Sequence, residues 1–284
     1  MDGAAVKCLA ACPAPAKLNV FLHVTGRRAD GYHLLQSLFR LIDLADSLDF
    51  EVRAGGGVRR VNSVPGLASE DDLVVRAARL LQAETGCRLG ADITLDKRLP
   101  LGAGLGGGSS DAATTLIALN RLWGTGVARE RLAAIGLNLG ADVPFFIHGS
   151  DALVEGIGEV LTPVSLPTAH FVVLWPGVCV PTGAIFAAPD LTRNSEPIRI
   201  ADFASRATRN DLQAVACRLY PEVAAAIEWL GQHAPARMTG SGACVFAQVD
   251  SATAAADIVA ACPQGWRAWH ARSLSRHPLH GWLD

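Results

Sequence analysis

The 284-residue chain has no surplus of charge of either sign: 25 lysines and arginines stand against 27 aspartates and glutamates, for a net charge of −2. Binding to nucleic acid needs a basic field, so nucleic acid is not an expected partner. The seven cysteines, at positions 8, 12, 87, 179, 217, 244 and 262, contain no C-x-x-C pair, and the eight histidines contain no H-x-x-x-H pair in a helical stretch. Those spacings fit neither a disulfide framework nor a zinc cage. They point to a reducing, cytoplasmic protein without a dedicated metal site. Near the start, Asp2 and Lys7 precede an apolar stretch that is too short and too broken by alanine and proline for a signal-peptide core. No Asp, Glu, Lys or Arg occurs between Glu159 and Asp190, but Pro163, Pro167, Pro176 and Pro181 interrupt that interval. A helix missing that many donors would not be satisfied in lipid, so no membrane partner is expected. Low-complexity tracts are also lacking, and with 50% apolar and 18% charged residues the chain can bury a substantial core. What remains is a soluble protein whose partner is a small molecule.

Strand signals lie at Ala16 to Thr25 and Asp92 to Leu99, the second stopped by Pro100. Between them are a mixed segment, LLQSLFRLIDLAD, a strand-like SLDFEVRA, and LVVRAARLLQAET at 73 to 85, whose apolar stripe predicts an amphipathic helix ending at Gly86. A helix is predicted after the glycines at 101 to 108, with Ser109 or Ser110 as N-cap, Asp111 in the first turn and Gly124 as the stop. Another runs from about Arg129 to Leu139. The last third offers a strand at Phe171 to Trp175, helices at 210 to 220 and 221 to 230, a TGSG turn at 239 to 242, the strand ACVFAQV, the helix ATAAADIVAA and the strand WRAWHA. No clean βαβ repeat appears, which favours two α+β domains, 1–155 and 156–284.

The strongest chemical signal is a strand, Pro100, the run LGAGLGGGSS and a helix. Glycines let the backbone turn its N–H groups toward an anion, and the first turn of the following helix adds unpaired donors. A flexible turn is the plain alternative. The subset Gly102-x-Gly104-x-x-Gly107 matches a dinucleotide fingerprint, yet no acid lies between Asp111 and Glu130 to hold a ribose. The loop also lacks a G-K-[ST] ending, and the chain has no H-R-D or D-F-G element. A nucleoside triphosphate would therefore have to sit on some other fold.

Three further features stand out. Lys17 and Asn19 share a face of the first strand, where they could meet anionic or polyol groups or be simple edge residues. Asp142, just beyond a predicted helix C-terminus in LGADVPFF, opposes the helix dipole in a poorly hydrated setting unless a cation such as Lys17 compensates; a turn aspartate is the alternative. TGSG reads as a hairpin element or as a second phosphate-facing loop, and Tyr32 and His33 as packing or binding residues.

Taken in order, PAKLNVFL, PLGAGLGGGSSDA, GADVPFF and MTGSGACVF resemble the GHMP kinase superfamily. The likeness extends from about Pro15 to near Leu279, and RRADGYHLLQSLF, ITLDKRLP and EGIGEVLTPV narrow it to the branch that phosphorylates the 2-hydroxyl of a CDP-linked methylerythritol on the non-mevalonate route to isoprenoids. Another small-molecule branch, of mevalonate or homoserine type, is the alternative. The resemblance implies an N-terminal ATP-binding domain with a left-handed crossover and a smaller C-terminal substrate domain, whose last strand could pack back on the first. It implies ATP with Mg²⁺, Asp142 as acceptor of the hydroxyl proton, and Lys17 as its charge partner. ATP would be held by Lys97 and the loop Pro100, Leu101, Gly102, Ala103, Gly104, Leu105, Gly106, Gly107, Gly108, Ser109 and Ser110. Asn19, Tyr32, His33, Thr182 and Phe186 would hold substrate, with cytosine stacked between Tyr32 and Phe186 and bonded by His33. Two residues depart from the family pattern: Asp72 and Asp111 stand where relatives often carry asparagine, and a carboxylate at 111 would repel a triphosphate unless Mg²⁺ or the chain separates them.

Overall fold

A computed structural model describes residues 8–199, 202–203 and 207–283. Asp2 and Lys7, part of the N-terminal stretch read above, lie outside the described residues. The first unit is organised by a long hairpin, β1 (Cys8–Arg27) against β2 (His33–Arg53). The mixed segment is thus one strand with SLDFEVRA. Its apolar residues do not alternate because β2 is covered on both faces, with every residue from Gln36 to Ile42 buried, and a doubly buried strand reads as a continuous apolar run.

On its other edge β2 pairs with two strands in turn. Its second half meets β4 (Gly90–Asp96) and its first half meets β5 (Ala152–Gly156), both antiparallel. β3 (Val58–Arg60) lies parallel to β4 and is joined to it through α1 (Leu73–Thr85), while β6 (Val160–Pro163) closes the far edge on β5. The boundary expected between residues 155 and 156 falls inside the β5–β6 hairpin, so this sheet continues to Pro163.

α1 starts where predicted, with the Asp72 carboxylate accepting from Val74 N at 2.9 Å and Gly86 closing the helix at φ 66°. Asp72 also pairs with Arg60 at 2.6 Å, so this departure from the family pattern has a buried structural partner. α2 (Gly107–Trp123) is buried along nearly its whole length, because α1, β1 and the neighbouring helices surround it. α3 (Arg129–Leu137) is followed by a short helix not anticipated, α4 (Val143–His148), which brings Phe145 and Phe146 into the core with no exposure. Each such ring contributes roughly 1.5–3 kcal/mol by leaving water.

The second unit is an antiparallel sheet in the order β10 (Arg267–Arg272), β7 (His170–Trp175), β9 (Val245–Val249), β8 (Ala236–Met238). It carries α5 (Thr182–Ala187), α6 (Gln213–Leu219), α7 (Pro221–Gly231) and α8 (Ala252–Ala260). A shared cluster joins the two units, with Leu18, Ile42 and Leu105 packed against Phe171 and Phe246. β1 reaches into the second unit, where Leu22 N donates to Arg209 O at 3.0 Å and Val24 N to the Asp211 carboxylate at 2.8 Å. β10 pairs within the second sheet yet also packs against β2, Arg272 N donating to Asp43 Oδ1 at 2.7 Å, and the segment after it continues onto the first unit, Leu274 N donating to Leu41 O and His277 N to Gly149 O. Among the described residues no helix is long and apolar enough to cross a membrane.

Candidate active site

The glycine run forms a loop between β4 and α2 that is held from two sides. Lys17 N of β1 donates to Leu105 O at 2.9 Å, and Cys244 N donates to Ala103 O at 3.1 Å. Gly104, at φ 79°, lies so close to the TGSG turn that a Cβ there would sit 2.2 Å from Thr239 O. Only glycine tolerates both that conformation and that approach. Gly106, at φ 72°, is the N-cap of α2, so the helix begins at Gly107 and not at Ser109 or Ser110. The early start leaves the N-terminal donors of α2 at the loop.

Loop and helix end line a cavity of about 380 Å³ between the two units. Pro100 through Ser109 all face it, as do Lys17, Asn19, Lys97, Asp142, Thr182 and Phe186. Ser110 does not: it is fully buried, and its hydroxyl has no partner among the described residues. Gly240 and Ser241 of the TGSG turn line the same cavity, while Thr239 braces the loop, so the turn serves as support and as wall.

At one wall Lys17 Nζ stands 3.5 Å from Asp142 Oδ2, with the lysine side chain 5% exposed and the aspartate 30%. Lys17 also donates to Asn19 Oδ1 at 2.6 Å and lies 4.5 Å from the Phe39 ring centroid. Asn19 is fixed in turn: its Nδ2 donates to Ser37 Oγ and its backbone N to Thr239 Oγ1. The expectation that Asp142 opposes a helix dipole is corrected here. Asp142 is the N-cap of α4, at the end where a carboxylate is stabilised.

Lys97 reaches the cavity, but its ammonium is occupied. It donates to Asp46 Oδ2 at 2.6 Å and to Asp111 Oδ2, while Asp46 Oδ1 accepts from the backbone N–H groups of Arg98 and Leu99. Burial pushes the Asp111 carboxyl well above the usual carboxylate range, against the pull of Lys97, and Asp111 Oδ1 has no partner among the described residues. Asp111 sits in the second turn of α2, turned toward Lys97, so the chain itself separates this carboxylate from the cavity. Asp46 is a site-supporting residue that no sequence feature marked.

A wider hollow of about 550 Å³ adjoins the first, lined by Asp30, Tyr32, His33, Ile157, Thr182 and Phe186 among others. Tyr32 is 62% exposed, and the His33 and Phe186 rings lie 4.9 Å apart, tilted by 30°. Thr182 and Phe186 come from α5, a helix too short to register as a period in the sequence although their spacing of four is helical. Thr182 Oγ1 meets Ser241 Oγ at 2.7 Å. Burial first, then the charges of Arg193 and Arg27, push the His33 imidazole below its ordinary range.

A glycine loop at a helix start, facing a lysine–aspartate pair across a cleft between two α+β units, defines a small-molecule phosphotransferase. The models for the GHMP kinases N-terminal domain and the GHMP kinases C-terminal domain match residues 72–150 and 188–268. A protein of Aromatoleum aromaticum named 4-diphosphocytidyl-2-C-methyl-D-erythritol kinase is 67% identical over 283 residues, covering 100% of both chains. One of the same name from Azoarcus sp. is 66% identical, covering 97% of this chain and 98% of that one. A crystal structure of 4-(cytidine 5'-diphospho)-2C-methyl-D-erythritol kinase superimposes with a TM-score of 0.78 at 35% identity, over 92% of this chain and 98% of that one. A homoserine kinase from Cytophaga hutchinsonii, 17% identical with a TM-score of 0.66 over 95% and 96%, shares the fold. The chain belongs to the GHMP kinases, and within them to the 4-diphosphocytidyl-2-C-methyl-D-erythritol kinase family.

Proposed function

We propose that this kinase transfers the γ-phosphoryl group of ATP to the 2-hydroxyl of 4-diphosphocytidyl-2-C-methyl-D-erythritol, giving the 2-phosphate and ADP. The observation that carries the reading is the Lys17–Asp142 pair facing the glycine loop across one cavity. Phosphoryl transfer needs in-line positioning and charge stabilisation more than covalent chemistry. In this reading Asp142 takes the hydroxyl proton as the new O–P bond forms and the bond to the ADP oxygen breaks. Lys17, held by Asn19 and too buried to be solvated by bulk water, keeps that carboxylate oriented and offsets the charge at the attacking oxygen.

Mg²⁺ is expected with the nucleotide. The hydroxyl of Ser109 and the carboxylate of Asp142 are hard oxygen donors of the kind it accepts, and both line the cavity. The ion would supply charge neutralisation on the phosphates. In the division of labour that follows, the first unit, which we extend to Pro163, supplies the phosphate loop. The second supplies Thr182 and Phe186, with Tyr32 and His33 reaching over from the first to complete a cytidine pocket in which stacking gives affinity and hydrogen bonds choose the base. The seven free thiols fit a reducing cytoplasm as the setting.

Asp142→Asn is expected to lower kcat by at least about 10²-fold, in line with the usual worth of a positioned base, while calorimetry still detects ATP binding and the melting curve is kept. Near-normal turnover by that variant would remove Asp142 from the chemistry. A panel of alcohol acceptors tests the substrate: preference for mevalonate or homoserine over the cytidine-linked alcohol would overturn the assignment.

A further inference from the structure

Arg193 belongs to an irregular stretch after α5 that no sequence signal marked, yet all its guanidinium nitrogens are engaged. Nε donates to His33 Nε2 at 3.1 Å, Nη1 to Leu191 O at 3.1 Å, and Nη2 to Phe186 O at 3.0 Å and Ala188 O at 2.7 Å. One side chain therefore ties the imidazole of the wider hollow to the backbone that carries its aromatic neighbour, Phe186. A guanidinium has no acceptor and keeps its protons at any ordinary pH. His33 Nε2 must then be the bare, accepting nitrogen, and the neutral ring carries its proton on Nδ1.

We propose that Arg193 is a positioning residue for base recognition: by donating to His33 Nε2 it locks His33 as the Nδ1–H tautomer and so presents a hydrogen-bond donor to the pyrimidine edge of the acceptor substrate. This rests on the cytidine-linked substrate assigned above. Cytosine offers two adjacent acceptors on that edge, the unprotonated ring N3 and the O2 carbonyl. Uracil carries a proton on N3, so a fixed donor would face another donor there. A site built around a donor rejects a ligand that leaves it unpaired more strongly than an apolar pocket could. The surroundings of the ring act in the same direction: burial first, then the charges of Arg193 and Arg27, disfavour a second proton on it, whereas Asp30 in the wall of the hollow accepts from the backbone N–H of Tyr32 and pairs with Arg28. Without Arg193, Nε2 would be free to take the proton, as imidazoles in water prefer, and Nδ1 would become an acceptor.

The first measurement needs no variant. Long-range ¹⁵N–¹H correlation on the full-length protein, with the His33 signal assigned by its loss in His33→Gln, should show Nδ1 protonated and Nε2 bare at neutral pH. A protonated Nε2 would overturn the proposal. Arg193→Met is expected to move His33 toward the Nε2–H form and to raise KM for the cytidine-linked acceptor by about tenfold or more. Its kcat and KM for ATP should stay within about twofold. Its preference for that acceptor over the uridine analogue should fall by a similar factor, and Arg193→Lys, which keeps one donor, should recover part of both effects. Unchanged acceptor KM and unchanged base preference in Arg193→Met would sink the idea. If the wild type itself fails to use the cytidine-linked acceptor, the substrate assignment fails instead, and the tautomer measurement still judges the role of Arg193.

Discussion

Lys97 shows how a residue that looks ready for a nucleotide can be spoken for by its neighbours. Its 8%-exposed side chain lies between Asp46 and Asp111, and burial favours the protonated form of the Asp111 carboxyl, leaving Lys97 and Asp46 as the ion pair. Asp111→Asn keeps the shape of a neutral carboxyl and should leave stability within about 1 kcal/mol of the wild type, read from urea unfolding, since that ion pair remains. Lys97→Met leaves the two carboxyl groups facing each other without a cation and should lose about 3–5 kcal/mol. Equal effects of the two changes would refute this account of the cluster. The sequence could not disclose it, because Asp46 lies 51 residues from Lys97 and in a segment whose apolar spacing hides its strand character.

Among elements, those whose signals are local were legible: α1 runs from Leu73 to Thr85 as its stripe and Gly86 predicted, and the glycine run is a loop feeding a helix. What escaped is decided by tertiary cover. β2 is buried on both faces over its first half, so alternation is lost, and α4 is only six residues long, too short for a period to register, so the sequence around Asp142 shows the end of α3 and hides the start of α4. The same division holds in the candidate site, where Lys17, Asp142 and the loop stand in sequence motifs, while Asp46 and the proposed positioning residue Arg193 stand in none. The fit of the loop against the TGSG turn sets an element-scale prediction. Gly104→Ala drives a Cβ into a backbone carbonyl that cannot step aside, and adds strain of roughly 1–3 kcal/mol at positive φ. Weakened ATP binding by calorimetry and a lower Tm are expected. Gly108→Ala, inside the helix with only Leu73 Cδ1 at 3.5 Å, should by contrast hold or raise Tm, by roughly 0.5–1 kcal/mol in stability. A Tm for Gly104→Ala equal to that of Gly108→Ala would contradict the packing argument.

For the whole molecule, two buried groups of opposite sign contribute to acid sensitivity. Burial, with His280 adding, pushes the His277 imidazole down to about 3. The folded state thus needs it neutral while the unfolded chain protonates it near 6.5, so this contribution is intact above pH 6.5 and is lost as pH falls toward 3, at up to about 1.4 kcal/mol per unit. Burial raises the Asp151 carboxyl to about 6 despite Leu41 N–H and Arg40. Its contribution is full below pH 4 and lost as pH climbs through 6, so it partly offsets the histidine on acidification. Urea midpoints of wild type and His277→Asn between pH 7 and 4.5 separate the two: the two slopes nearly cancel in the wild type below pH 6, whereas the variant, left with Asp151, should gain stability on acidification. Parallel curves would rule out His277 as the source.

The brace between Gly104 and Thr239 joins residues 135 positions apart, and the segment after β10 closes on Leu41 and Gly149 later still. The hairpin and helices of the first unit supply one wall of the phosphate loop, with Lys17 N bonded to Leu105 O, but the opposing brace comes from the TGSG turn of the second unit. The loop takes its braced form only when both units are in place, so ATP binding should report on their joint assembly and be lost when the TGSG turn is displaced.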